Sequence, residues 1–430
     1  MPGTSVPRAR GSLSAAYGAH GSGGVAAVRS RVDVVRRGAA VPDGVLRFAG
    51  DAAHEHAFDS LGLPVSALDA GTDEVLVSIA SGGVTGPLVV RRGDRIETGF
   101  PFFEWESRCL EESYVDLSQP LYSKLPISYG VVPFRVRAGL LRVASAVRAR
   151  RAPATETVSF PEYPVCGVVD RVRNVIMSGL SLGPTTYTRG TLVLTHDMDE
   201  LSAQPGIEKL RAIERRHGFA SAWGILSEKY RLPAWQAESL VAEGCEIFSH
   251  GYLHDGRLPY LPVAEQLRRL RHFFTAYPML QGKTRGFRCG QLARSRSLYE
   301  AVQQVFDYDM TPPTTERGGP YGARSGVSTV FPFWSESGLL HLPLTLPQDY
   351  FLAFVENLSG PAIAARWIAA AEHVLALGGS PVHLVHPDNV LRAPSILDAY
   401  DRFLGWARER KLDVCLPGDL ASRLGPRPGG

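Results

Sequence analysis

The stretch Thr191-Leu-Val-Leu-Thr-His-Asp-Met-Asp-Glu200 joins a short apolar run to a cluster of carboxylates. The apolar run has the length and composition of a buried strand, and the acidic residues follow at its carboxyl end. Side chains two residues apart in an extended segment point the same way, so Asp197 and Asp199 are predicted to face one cleft while Met198 packs inside. Two carboxylates this close need something that separates their roles. A metal ion bound by one would leave the other free as a base.

Short apolar runs alternate with helical patterns through the chain beyond residue 189. The predicted strands are 191–195, 220–225, 246–249, 339–344, 382–385 and 413–416. The predicted helices are 207–217, 233–243, 263–276, 295–305, 361–377 and 395–409. This alternation predicts an α/β fold with a parallel sheet and right-handed crossovers, either open or closed into a barrel. The active site of such folds lies at the carboxyl ends of the strands, where the acidic motif falls.

A pair of histidines follows a second predicted strand, in Ser249-His-Gly-Tyr-Leu-His-Asp255. Histidines four residues apart meet on one face of a helical turn or tight loop, a spacing found in other metal-binding pairs. The spacing alone is common by chance, but here the chain already carries an Asp-x-Asp strand end. His250, His254 and one aspartate are therefore candidate ligands for a divalent metal such as Zn²⁺, with a position left for water or substrate.

A late pair of histidines lies in His383-Leu-Val-His386, at the end of a predicted strand. The last residue of a core strand can project into the cleft, so His386 is a candidate general acid for the leaving group. His383, on the opposite face, is expected to be structural. Asp349 fits both a residue that lines the cleft and an ordinary turn residue.

An arginine motif, Arg285-Gly-Phe-Arg-Cys-Gly290, lies between the two histidine motifs. Arg288 follows a short apolar run that is predicted to be a strand. A guanidinium can bind a carboxylate through two parallel hydrogen bonds, and such a bidentate pair would orient Asp197 and keep it ionised.

The composition limits the class of protein. The 430 residues exceed the usual size of one domain, and a hydrophobic fraction of 44% is sufficient for a sizeable core. A net charge of +3, with no block of lysines and arginines, argues against nucleic-acid binding. Five dispersed cysteines indicate reduced thiols rather than disulfides. No apolar run resembles a secretory signal or a membrane span, so a cytoplasmic enzyme is expected.

Four regions are predicted along the chain. Residues 1–40, rich in Gly, Ser and Ala, have the composition of a disordered arm. Residues 41–150 are predicted to form a small strand-rich accessory domain that ends in a helix, and residues 151–188 a linker and lead-in helix. Residues 189–430 would form the α/β barrel. The aromatic segment Phe100-Pro-Phe-Phe-Glu-Trp105 would either contact a ligand or, more simply, pack against the second domain.

Four motifs, taken in order, resemble those of the polysaccharide deacetylase family, the NodB-homology domain of carbohydrate esterase family 4. They are Thr-His-Asp-Met-Asp at 195–199, Ser-His-Gly-Tyr-Leu-His at 249–254, Gly-Phe-Arg-Cys at 286–289 and Leu-Val-His at 384–386. The resemblance covers residues 189–424 and implies a deformed (β/α) barrel. It also implies a metal held by one Asp and two His.

The resemblance assigns a role to each matching residue. The metal ligands would be Asp199, His250 and His254. Asp197 would be the base that activates metal-bound water, with Arg288 as its partner, and His386 would be the acid. The metal would most simply be Zn²⁺, with Co, Ni, Fe and Mn as alternatives.

Two positions depart from the commoner family pattern. Met198 stands where most members carry an aspartate, so that the metal carboxylate is Asp199, as in the Asp-x-Asp branch of the family. That branch includes hydrolases of cyclic amides and of small substrates. Cys289 stands where the family usually has proline.

The sequence therefore predicts a metal-dependent hydrolase that removes an N-acyl group, acetyl in the simplest case, from an amino sugar, a sugar conjugate or a secondary metabolite. Two alternatives stay open: a cyclic amide or ureide amidohydrolase of the same fold, and a catalytically inactive binding protein on a degenerate barrel. The expected partner is a small-molecule or carbohydrate substrate, with no nucleic acid and no membrane span. The oligomeric state is left open.

Overall fold

The structure is a computed structural model that describes residues 65–81, 84–124, 136, 139, 142, 143, 163–179, 191–316, 321 and 325–425. The predicted disordered arm lies outside the described residues. So do parts of the predicted linker and all but four residues of the helix predicted to end the accessory domain. The boundaries of the four regions therefore stay predictions.

Two sheets are formed within the described residues. The strands are β1 Glu74–Ser81, β2 Val84–Arg92, β3 Arg95–Thr98, β4 Thr191–Asp197, β5 Ala222–Ile225, β6 Glu246–Ser249, β7 Gly286–Phe287, β8 Tyr308–Asp309, β9 Phe333–Trp334, β10 Leu340–His341, β11 Val382–Leu384 and β12 Asp413–Val414. Strands β1, β2 and β3 form an antiparallel sheet. The second sheet has the order β11-β4-β5-β6-β7-β8-β10-β9, with β12 also beside β4. Its pairings are parallel except for β9 with β10.

Helices occupy the connections between the strands. They are α1 Phe102–Leu110, α2 Leu121–Lys124, α3 Val168–Gly179, α4 Gln204–His217, α5 Ala234–Ala242, α6 Val263–Ala276, α7 Arg296–Val302, α8 Gly360–Ala376, α9 Pro387–Arg392, α10 Ser395–Glu409 and α11 Pro417–Leu424. The larger sheet is mixed but mostly parallel and curls into a half-barrel with these helices, and a strand-rich part precedes it. The predicted fold class is therefore confirmed.

Strand β4 is apolar on both faces because both are covered. Leu192 and Leu194 belong to the main core with the surrounding helices. Val193, between them, lies on the other face of the sheet and packs there with Phe248 and Met310 in a second cluster. A parallel strand covered on both sides carries a continuous apolar run rather than an alternating one. This burial fixes the position of the acidic residues that follow.

The N-terminal sheet has its own apolar cluster, which includes the aromatic segment. Phe100, Phe102 and Trp105 are buried there with β2 residues and with Val168 and Val172 of α3. The aromatic side chains therefore pack with the N-terminal sheet and α3, and the expectation that they also pack against the second domain stays a prediction.

Two of the shortest strands, β8 and β9, were not predicted. Strands β7, β8 and β9 contain two residues each, and the predicted strand 339–344 is reduced to Leu340–His341. Two residues are too few to show a period, so partner strands alone define them. Among the described residues, no helix combines the length and apolar character needed to cross a bilayer.

Candidate functional site

The sequence-predicted side chains all follow strands of the parallel sheet. Asp197 is the last residue of β4, and Asp199 lies just beyond it. His250 follows β6 directly and Arg288 follows β7, while His386 lies shortly after β11. Parallel strands bring their carboxyl ends to one edge, and the structure brings these side chains and His254 together there.

Asp199, His250 and His254 form a compact group of potential ligand atoms. Asp199 Oδ1 lies 3.1 Å from His254 Nε2 and 3.3 Å from His250 Nε2. One such atom from each residue lies within 4.8 Å of the other two. The His250 side chain is 2% exposed, whereas those of Asp199 and His254 are 22% and 14% exposed. Solvent therefore reaches Asp199 and His254 in part, whereas His250 is enclosed.

Two atoms of this group are buried with unused hydrogen-bonding capacity. Among the described residues, neither Asp199 Oδ1 nor His250 Nε2 has a hydrogen-bond partner of acceptable geometry, despite their proximity. His250 Nδ1 lies 3.1 Å from the backbone carbonyl oxygen of Arg288. When Nδ1 donates its proton to that carbonyl, Nε2 keeps a free lone pair beside Asp199. Two imidazole nitrogens and one carboxylate oxygen fit a divalent metal such as Zn²⁺.

The Asp199 carboxylate is suited to bind a cation. Burial raises its pKa, but the His254 and His250 imidazoles outweigh burial and hold the pKa well below its ordinary value. The carboxylate is therefore ionised at neutral pH, as a metal ligand must be.

Asp197 is buried beside Arg288. Arg288 Nη1 donates to Asp197 Oδ1 and to Thr195 Oγ1, each at 3.0 Å. Its Nε donates to the Met310 carbonyl oxygen at 3.0 Å, so only Nη1 reaches the carboxylate and the predicted bidentate pair is a single contact. Burial raises the pKa of Asp197, but Arg288 and nearby histidines outweigh burial and hold it below its ordinary value. Gly224 leaves room for the Asp197 carboxylate, since a Cβ at position 224 would lie 2.8 Å from Asp197 Oδ1.

His386 is paired with Asp349, which the sequence left between two interpretations. Asp349 Oδ1 lies 2.7 Å from His386 Nδ1, and its Oδ2 accepts the His386 backbone N–H at 3.0 Å. Burial lowers the pKa of His386, but Asp349 outweighs burial and raises it to about 10. Asp349 therefore orients His386 and keeps it protonated. The available sequence signal was its position shortly after a predicted strand.

A further carboxylate, Asp388, lies close to the same group. It is 7% exposed, and one of its oxygens pairs with Arg392. Its Oδ1 has no hydrogen-bond partner among the described residues. Burial raises the pKa of Asp388, and the charge of Asp199 raises it further. Asp388 has no sequence signal beyond its position shortly after His386. When ionised, its carboxylate favours a cation at this edge of the sheet.

The other histidines of these strands lie on the opposite face. His196 Nδ1 lies 2.8 Å from the Val385 carbonyl oxygen, and its Nε2 lies 2.7 Å from Glu214 Oε1. The His383 ring packs against Trp367 at a centroid distance of 4.4 Å. His383 is thus part of the packing, as predicted.

Comparisons with known proteins give likenesses only among solved structures. No family model matches the chain, and no curated protein matches it significantly. A structure described as a polysaccharide deacetylase from Mycobacterium smegmatis is 16% identical, with 54% of this chain and 88% of that chain covered and a TM-score of 0.43. A second such structure, from Pseudomonas aeruginosa PAO1, is 15% identical, with coverages of 56% and 94% and a TM-score of 0.46. Puue allantoinase is 15% identical, with coverages of 55% and 90% and a TM-score of 0.45.

Structures described as polysaccharide deacetylases recur among these likenesses.

Proposed function

We propose that the protein is a metal-dependent hydrolase of C–N bonds other than peptide bonds. Its reaction would be the removal of an N-acyl group, acetyl in the simplest case, from an amino sugar, a sugar conjugate or a secondary metabolite. The observation that carries the proposal is the pair of buried atoms Asp199 Oδ1 and His250 Nε2, both without hydrogen-bond partners among the described residues, beside the His254 ring.

The proposed metal ligands are Asp199, His250 and His254. Two imidazoles and one carboxylate favour Zn²⁺, and Co, Ni, Fe and Mn are the alternatives to test. Such an ion, when bound, would polarise an acyl carbonyl and acidify a water molecule. The partial exposure of Asp199 and His254 leaves a route for the ion and the substrate.

Asp197 is proposed as the base. Arg288 holds its Oδ1, which leaves Oδ2 directed toward His250, with 3.7 Å between Asp197 Oδ2 and His250 Nδ1. The lowered pKa keeps the carboxylate ionised and ready to accept a proton from the attacking water. Arg288 would act through Asp197 by fixing its orientation.

His386 is proposed as the acid that protonates the departing amine. Asp349 binds its Nδ1 and raises its pKa to about 10, so the ring carries a proton at neutral pH. Burial raises the pKa of Asp197 and of Asp199, and the positive charge of His386 is one of the effects that lower both. His386 therefore lies near both carboxylates. Asp197 as the base and His386 as the acid would, with a bound metal, provide the groups that amide hydrolysis by activated water requires.

The experiment combines metal analysis with a substrate panel. Purified protein should contain about one divalent metal per chain, and it should release acetate from N-acetylated amino sugars or their conjugates. The Asp197→Asn variant is the matched control, because it should keep the metal and lose turnover. We also propose a cytoplasmic location, which fractionation of the source cells would test.

The outcomes separate the alternatives. Opening of cyclic amides or ureides without acetate release would replace deacetylation by the amidohydrolase alternative. Absence of bound metal in both the wild type and a His250→Ala variant, together with no turnover, would leave a binding protein on a degenerate barrel.

A further inference from the structure

A carboxylate from the N-terminal part reaches into the half-barrel close to the proposed metal site. Glu112 follows helix α1 and is 2% exposed, and it has a left-handed backbone conformation with φ of 49°. Few non-glycine residues adopt this conformation unless their surroundings hold them there. The contact of its side chain is with Arg294, in the segment that follows the arginine motif.

The Glu112–Arg294 ion pair is bidentate and buried. Arg294 Nε donates to Glu112 Oε2 and Arg294 Nη2 donates to Oε1 at 2.6 Å, and the Arg294 side chain is 0% exposed. Glu112 Oε1 also accepts the Gly326 backbone N–H at 2.6 Å. Glu316 approaches the same guanidinium less closely, at 3.3 Å. Glu112 is therefore the principal counter-ion of a buried cation.

Arg294 in turn holds the turn that precedes it. Its Nη1 donates to the Leu292 carbonyl oxygen at 2.8 Å. Gln291 and Leu292 both have left-handed backbones, with φ of 61° and 51°. Two consecutive non-glycine residues in this region need external support, and the hydrogen bond from Arg294 supplies it.

The same turn contacts the proposed ligand His254. Gln291 Nε2 donates to the His254 carbonyl oxygen at 3.1 Å. Gly290 lies directly against the ring, since a Cβ at Gly290 would be 2.5 Å from His254 Cδ2. His254 itself has a left-handed backbone, with φ of 58°. Its ring orientation therefore depends on where the turn at 290–292 lies.

We propose that Glu112 is a positioning residue for the metal site. It fixes Arg294, Arg294 fixes the 290–292 turn, and the turn fixes the His254 imidazole at the metal. The N-terminal part then completes the support of a ligand that belongs to the half-barrel. This inference rests on the proposed function, because it assumes that His254 binds the metal.

The test is zinc affinity of the apo protein, measured by competition with a chromophoric chelator. Supporting contacts of metal ligands are worth about 10- to 100-fold in affinity, and Glu112→Gln is expected to lose affinity in this range. Glu106→Gln is the matched control: Glu106 is another buried carboxylate of the N-terminal part, and it pairs with Arg173 of α3. This control should lower thermal stability and leave zinc affinity within about twofold of the wild type.

Two further variants guard against loss of the fold. The double variant Glu112→Met, Arg294→Met removes both charges and keeps side-chain volume, a replacement that buried ion pairs often tolerate. Gln291→Ala removes only the contact to the His254 carbonyl. Both should bind zinc more weakly, Gln291→Ala by the smaller factor. Unchanged zinc affinity in the folded variants, or equal loss in Glu106→Gln, would overturn the inference. A wild type that binds no zinc or other divalent metal would instead remove the proposed function, and the inference with it.

Discussion

Two groups of histidine and carboxylate side chains lie on opposite faces of the same sheet and differ in how much of their bonding capacity the protein uses. The first, the His196 group, consists of His196 and Glu214, whose side chains are 0% exposed. Both nitrogens of His196 have close partners, the Val385 carbonyl oxygen and the Glu214 carboxylate. The second, the Asp199 group, consists of Asp199, His250 and His254. Asp199 Oδ1 and His250 Nε2 lie 3.3 Å apart, and neither atom has a hydrogen-bond partner among the described residues.

The comparison shows that proximity of a histidine to a carboxylate does not define a metal site. Buried polar atoms are normally satisfied, so an unsatisfied pair requires an explanation. The His196 group satisfies itself and acts as a structural contact inside the core. The Asp199 group has partners for only part of its atoms and lies partly in reach of solvent, which is what an ion-binding group requires.

The largest effect is expected from His250→Ala. Loss of one ligand from the Asp199 group should remove the bound metal and lower turnover by about 10⁴-fold or more, because the Lewis acid is lost with it. Metal analysis after dialysis and initial rates would measure both. Retention of stoichiometric metal by this variant would contradict His250 as a metal ligand. The distinction between the Asp199 group and the His196 group would then be lost.

Asp197→Asn is expected to separate the base from the ligands. The rate should fall by about 10²–10⁴-fold, as for loss of a general base, while metal content stays at the wild-type level. Steady-state kinetics on metal-quantified protein would measure this. An unchanged kcat would exclude Asp197 as the base without affecting the ligand assignment.

His196→Ala is expected to show the opposite pattern. It removes a buried ring and leaves Glu214 short of a donor, so the free energy of unfolding should fall by about 2–5 kcal/mol. Urea denaturation would measure the loss. Metal content of the folded protein should stay unchanged, and a variant that loses its metal while folded would break the distinction between the two groups.

The smallest effect at neutral pH is expected from Asp349→Asn. Asp349 raises the pKa of His386 to about 10, so the proton needed by an acid is present below that pH and lost as the pH rises through it. Without the Asp349 carboxylate, only the charges of Asp199 and Asp388 still oppose burial, so the pKa of His386 falls and the alkaline decline of kcat should move to lower pH. A pH profile of kcat would show the shift. An alkaline limb that does not move would argue against His386 as the acid.

Regular elements could be predicted from the sequence where a period is long enough to detect. The helices Val263–Ala276 and Ser395–Glu409 and the strand Glu246–Ser249 have the predicted bounds. The two-residue strands β8 and β9 could not be found, because hydrogen bonds to neighbouring strands define them. The motif residues could be located because each follows a strand at the same sheet edge.

Residues that act through another segment could not be predicted. Asp349 meets His386 only after the chain has passed through α8, and the role of the carboxylate depends on that return. Glu112 and Arg294 are farther apart in the sequence, and neither belongs to a motif. Contacts of this kind leave no local pattern in one sequence. The bidentate form expected for Arg288 failed for the same reason, since Met310 competes for the guanidinium.

The Glu112–Arg294 contact limits how the chain can be divided. A shortened protein that begins at residue 189 would lose Glu112, the main counter-ion of the Arg294 guanidinium, and would keep the more distant Glu316 at 3.3 Å. Isolating a buried charge from its main counter-ion costs several kcal/mol, a large share of the stability of an ordinary domain. A protein shortened in this way is therefore expected to be less stable than the full chain, and the Glu112–Arg294 contact ties the N-terminal part to the half-barrel.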